Sequence, residues 1–204
     1  MLFRSDPGEA GVPPSLDVSA SPGVKAATLD FPAPERHYDG DYAWAGYGHS
    51  VTLPVSFEFT SAGDPGKIDA SVFLGICETI CVPVQAQLSL TPSADAGSPE
   101  DASIVANAFD ALPRRATDEF GIRFVKAEDD ALVVEVLSPG DEPADLFLAG
   151  EEGYTFGLPE AFEEDGRHYF RMSLGRPDSP PSGSGLHYPL VTASGAVSGL
   201  LPFF

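Results

Sequence analysis

The chain has 204 residues, 43% of them hydrophobic, which suits one large domain or, as we read it, two small β-sandwiches. Its 31 acidic against 11 basic side chains leave a net charge of -20, which repels nucleic-acid phosphate and anionic lipid and argues against either as a partner. Gly 21 and Pro 20 punctuate short strands and leave little room for long helices, and no apolar run approaches the ~18 residues that span a bilayer.

The start, Met1 to Gly8, lacks the apolar stretch of ~7–15 residues that marks a secretory signal, so composition alone suggests a cytoplasmic or truncated chain. Residues 1–50 are rich in Pro, Gly and Asp and read as loops around short strands. From Val51 to Thr60 apolar and polar residues alternate, the mark of a half-buried strand. Pro54 cannot donate a ladder hydrogen bond, so this strand is expected at an edge or with a bulge.

A turn at Gly63-Asp64-Pro65-Gly66 leads to a run in which Ile68, Ala70, Val72, Leu74 and Ile76 share a face. In the next run Val84, Ala86, Leu88 and Leu90 alternate with Gln85, Gln87 and Ser89, and the even-numbered residues are expected to face the core. Ser98-Pro99-Glu100-Asp101 then supplies an N-cap, a first-turn proline and an acidic first turn. The helix it starts carries Ile104, Val105, Ala108, Phe109 and Leu112 at helical spacing and is closed by Pro113.

Strand-like runs follow at 122–125, 132–137, 146–148, 154–156, 168–174, 186–191 and 197–201, and they suggest a second sandwich. Glu163-Glu164-Asp165 reads as a solvated turn and His168 as a strand residue, so no site is assigned to this half. The expected organisation is a first domain over 1–92, a linker and short helix over 93–117, and a second β-module over 118–204.

The two cysteines lie in Gly75-Ile76-Cys77-Glu78-Thr79-Ile80-Cys81-Val82-Pro83, at the junction of two strands that pattern as a hairpin. Alternation places Cys77 and Cys81 opposite the face of Val72, Leu74, Val84 and Ala86, with both sulfurs expected to be accessible and close. A stabilising disulfide is one explanation, but so short a loop gains only about 2 kcal/mol on the chain-entropy model. A metal site needs two further ligands, and His37, His49, His168 and His187 are scattered without motif spacing. The spacing is neither the Cys-x-x-Cys of thioredoxin-like motifs nor a haem attachment site, so generic motifs leave the pair open. An ordinary thiol, with a pKa of about 8.5, is only a few per cent ionised at pH 7, and Glu78 disfavours the thiolate further. The pair therefore suits attack by a partner's thiolate, or onward transfer of electrons as a dithiol.

Three segments carry a family resemblance: Arg4 to Pro14, Phe31-Pro32-Ala33-Pro34-Glu35-Arg36 through Tyr47 to Val55, and Cys77-Glu78-Thr79-Ile80-Cys81-Val82-Pro83. Over residues 1 to about 92 the chain resembles the N-terminal periplasmic domain of the DsbD family of thiol:disulfide interchange proteins, particularly its ScsB-like branch. The resemblance implies an all-β chain whose first domain is an immunoglobulin-like sandwich, followed by a second, smaller β-module. It also implies a periplasmic location; the exchange reading requires no soluble cofactor, and no metal is assigned. Cys77 and Cys81 would form the redox pair, fed by a membrane-embedded DsbD/ScsB-like donor and delivering electrons to oxidised periplasmic thiol proteins. By analogy Cys81 makes the mixed disulfide and Cys77 resolves it.

In that family an aromatic cap loop covers the cysteines, and Asp39 to Gly46 lies at its position, with Tyr42 and Trp44 as cap residues or as ordinary rim packing. The match begins beyond the family's first strands, so an unpaired sheet edge is expected. No thioredoxin-like or membrane-spanning stretch follows within the 204 residues, so electron relay would need other domains. The rival is a non-enzymatic envelope binding or scaffolding module whose disulfide only pins the hairpin.

Overall fold

The computed structural model describes residues 2–3, 14–39, 42–61, 66–77, 81–92, 97–128, 130–140, 144–149, 154–176 and 185–202, with the backbone alone at residues 2, 3, 39, 42, 77, 81 and 128. The chain divides into two compact units, one of residues 1–35 and 46–112, the other of residues 36–45 and 113–204.

In the first unit the strands are β1 (Leu2–Phe3), β2 (Ser15–Asp17) and β3 (Val24–Leu29). The hairpin strands β4 (Glu35–Asp39) and β5 (Tyr42–Gly46) follow and fall mostly in the second unit. Then come β6 (Val55–Phe59), β7 (Ile68–Cys77), β8 (Cys81–Leu90) and the helix α1 (Pro99–Asp110). Strand β7 is the centre of a four-stranded antiparallel sheet, with β8 along one edge and β1 and β2 in succession along the other. A second, two-stranded sheet pairs β3 with β6.

Strand β6 is shorter than the alternation from Val51 suggests and begins only after Pro54. The Pro54 carbonyl accepts from Asp30 N–H at 3.0 Å, but its ring nitrogen has nothing to donate, so the ladder starts one residue later. The segment before β3 is tied to β7 through Ser21, whose hydroxyl donates to the Asp69 carbonyl at 2.8 Å and accepts from Asp69 N–H at 2.8 Å. The Asp69 carboxylate accepts from Lys67 and from the Ser89 hydroxyl, and the Lys67 bond is the main cause holding its pKa below the usual value.

Helix α1 starts where the capping signal sits: Ser98 accepts from Asp101 N–H at 3.1 Å, and the Asp101 carboxylate accepts from Ser98 N–H at 3.0 Å. Its apolar stripe is not buried as helical spacing suggests. Ile104, Val105 and Phe109 are exposed and only Ala108 is covered, because periodicity defines a stripe without supplying the surface that packs on it. The hydrogen bond from Ser98 N–H, first, and that from its hydroxyl lower the Asp101 pKa. A carboxyl depressed in the folded state stabilises above its unfolded value and loses that contribution as pH falls through the folded one. Helical circular dichroism should therefore weaken on acidification below the usual carboxylate range, and Asp101→Ala should remove that part of the titration.

The second unit is a sandwich. Its strands are β9 (Arg114–Arg115), β10 (Gly121–Glu128), β11 (Ala131–Leu137), β12 (Ala144–Leu146), β13 (Thr155–Phe156), β14 (Glu160–Glu164), β15 (Arg167–Gly175), β16 (Leu186–Thr192) and β17 (Gly195–Leu201). One sheet runs β10-β11-β15, with β13 and β14 both pairing β15, and the other runs β12-β16-β17-β9. Between them lies the core, with Leu132, Val134, Phe170, Met172 and Leu174 from the first sheet and Leu146, Leu186, Tyr188, Leu190, Val197 and Leu201 from the second. Glu163 and Glu164, read from sequence as part of a turn, end β14 instead. The turn is at Asp165 and Gly166, both with positive φ, and register sets Glu163 opposite His168 across it. Tyr188 explains one glycine: a Cβ on Gly199 would lie 2.7–2.9 Å from its ring and hydroxyl.

Candidate functional site

The β7–β8 ladder is continuous and antiparallel, from Ile68↔Leu90 through Val72↔Ala86 and Leu74↔Val84 to Ile76↔Val82 and Cys77↔Cys81. The alternation in the two runs agrees with this register and excludes a slip of one residue, which would exchange the faces. The two cysteines are thus direct backbone partners at the hairpin's closed end. Directly opposed residues in an antiparallel pair have Cα atoms about 4.5–5.5 Å apart, within the span that a disulfide bridges. The cysteine side chains and residues 78–80 lie outside the described residues, and so does the accessibility expected for the sulfurs.

The two backbones differ in their neighbours. Cys77 lies on the central strand, between Cys81 and Leu2 of β1, while among the described residues β8 pairs only with β7. The even-numbered face of β8 was expected to be in the core, and the structure corrects this. Val82, Val84, Leu88 and Leu90 are 36–59% exposed, because alternation sets which residues share a face without supplying a surface that buries it. In the first unit the buried hydrophobic side chains among the described residues are Tyr47, Ile68 and Ala108. The Tyr47 hydroxyl donates to the Pro32 carbonyl at 2.5 Å, and burial pushes its pKa up.

Of the two cap-loop residues, Trp44 lies on β5 and stacks on the His37 ring of β4, with centroids 4.1 Å apart and planes 13° from parallel. The Tyr42 side chain and residues 40–41 lie outside the described residues. Both positions group with the second unit, whereas Cys77 and Cys81 belong to the first.

Sequence reasoning missed what anchors this hairpin. The Arg36 guanidinium donates from Nε to both Asp145 oxygens at 3.0 Å, from Nη2 to Asp145 Oδ1 at 2.7 Å and to the Leu146 carbonyl at 2.8 Å. It also lies 4.5 Å above the Phe147 ring. More than a hundred residues separate the partners, so no local pattern could have joined them. Arg36→Ala is expected to cost the second unit about 2 kcal/mol in denaturant unfolding, and Arg36→Lys should recover little of it, because an ammonium cannot form the paired bonds. Also unforeseen is Glu135, 8% exposed on β11, with Arg123 at 3.6 Å and Arg167 at 3.5 Å from the flanking strands.

Residues 2–93 match the family model described as "Thiol:disulfide interchange protein DsbD, N-terminal". Among solved structures, the N-terminal periplasmic domain of ScsB from Proteus mirabilis matches with a TM-score of 0.76 at 14% identity, covering 99% of this chain and 82% of that one. Identity that low shows the fold alone, and the fold is the mostly-β, immunoglobulin-like class expected from the sequence. No curated protein matches the chain.

Proposed function

Since residues 2–93 match the DsbD N-terminal family model, we propose that this chain is a periplasmic thiol:disulfide exchange module acting through Cys77 and Cys81. The observation that carries the proposal is the direct pairing of the two cysteine backbones at the closed end of β7–β8, inside the matched segment. A pair at that separation can alternate between dithiol and disulfide without rearranging the ladder. In the proposed cycle a membrane-embedded DsbD/ScsB-like donor reduces the pair, and the dithiol then reduces oxidised envelope proteins, so that two electrons pass at each step. No soluble cofactor is invoked. Cys81 is assigned the mixed disulfide and Cys77 its resolution, in keeping with an edge position for the first and a central one for the second. By the family resemblance Tyr42 and Trp44 are assigned as cap-loop residues.

The test is the reduction potential of the pair, measured in a glutathione series. A midpoint of about -180 to -270 mV, in the range of known oxidoreductases, is expected. A pair that stays oxidised to below about -300 mV would instead be a structural staple, and the chain a binding or scaffolding module.

A further inference from the structure

We propose that the outer edge of β8 receives an extended segment of the disulfide-bearing partner as an added strand, which brings the partner's cystine to Cys81. This rests on the exchange function above and deepens it by naming how the partner docks. Strand β8 runs for ten residues and pairs without a bulge along its whole length with β7, while among the described residues its other edge has no partner. Natural sheets blunt such an edge with charges, bulges, prolines or a covering loop. Here residues 79–94 contain no charged side chain in a chain of net charge -20, and within β8 only Pro83 interrupts the row of N–H donors.

The chemistry of the occupant follows from what the edge offers. Main-chain donors and acceptors repeating every ~3.4 Å match only another extended polypeptide. The exposed apolar side chains Val82, Val84, Leu88 and Leu90 favour an uncharged segment with alternating apolar residues. A second copy of this chain fits less well, since two bodies each carrying -20 repel on approach. Cys81 opens the strand, so a segment lying along β8 holds its own sulfur beside the reacting end.

In the step itself the Cys81 thiolate attacks the partner's disulfide, forming the Cys81–partner bond and releasing one partner thiolate. Cys77 then attacks Cys81, forms the Cys77–Cys81 disulfide and releases the second partner thiolate, so the dithiol is oxidised by two electrons and the partner reduced by two.

The experiment uses the reduced full chain and a ten-residue uncharged peptide of alternating valine and threonine, with one cysteine capped as a mixed disulfide with 5-thio-2-nitrobenzoate. Comparators are the same peptide with two adjacent central amides N-methylated, which blocks both its edges, and glutathione capped in the same way. The unmodified peptide should release the chromophore at least tenfold faster than either comparator. Leu88→Lys, seven residues from Cys81, should close most of that gap and leave the glutathione rate unchanged. Equal rates for methylated and unmethylated peptides would overturn the docking proposal while leaving exchange intact. Absence of reaction with all three would overturn the exchange function and docking with it. A dimer seen by light scattering and dissociated by Leu88→Lys would assign the edge to self-association instead.

Discussion

Cys81→Ser is expected to lower the rate at which the reduced chain reduces a disulfide-bearing protein by roughly a thousandfold or more, because a hydroxyl cannot replace the attacking sulfur. Cys77→Ser should behave differently. With the resolving thiol gone, Cys81 can still open the partner's disulfide, but the product stays as a stable mixed disulfide that survives non-reducing electrophoresis. The difference reflects the ladder: among the described residues β8 is an edge strand and β7 is flanked on both sides, so the Cys81 backbone is the one a partner can approach laterally. Trapping through Cys77 in the Cys81→Ser variant, with none in the reverse, would exchange the roles. Trapping in neither, with the potential below about -300 mV, would remove the exchange function altogether.

Leu190→Ala should destabilise the second unit by about 3 kcal/mol, within the 2–5 kcal/mol usual for a fully buried leucine. Leu190 is completely buried on β16, opposite Leu146 on β12 and Val197 on β17, at the centre of the sheet that faces Leu132 and Val134. Both neighbours are nearly inaccessible to solvent themselves, so the space left by three lost carbons has little surface free to collapse into it. For a unit of this size a loss of that order lowers the melting temperature by roughly 15 °C. Calorimetry would record it, and a drop of less than about 1 kcal/mol would show that the site relaxes. The Cys77–Cys81 potential should stay unchanged, because the cysteines lie in the other unit.

The hairpin that carries the cysteines was legible because the even-numbered positions of both strands are apolar, and a two-residue period excludes any slip by an odd number of residues. Helix α1 was legible for a similarly local reason, since Ser98, Pro99 and Asp101 satisfy the first-turn amides without help from elsewhere. Strand β14 was not, because Glu160 to Glu164 are exposed on both faces and are held by pairing with β15, which leaves no periodic signal in their composition.

By itself, then, the sequence determined what depends on neighbours a few residues away: the register that sets Cys77 opposite Cys81, the start of the helix, and the alternation that supplies the second unit's core. Tertiary structure alone decided burial and long-range partnership. It left the even face of β8 and the apolar stripe of α1 exposed, placed Arg36 on Asp145, and made Cys77 central and Cys81 an edge residue. The physical reason is that periodicity states which residues share a face, whereas burying that face requires a second surface, and which surface arrives is set by the folded chain as a whole.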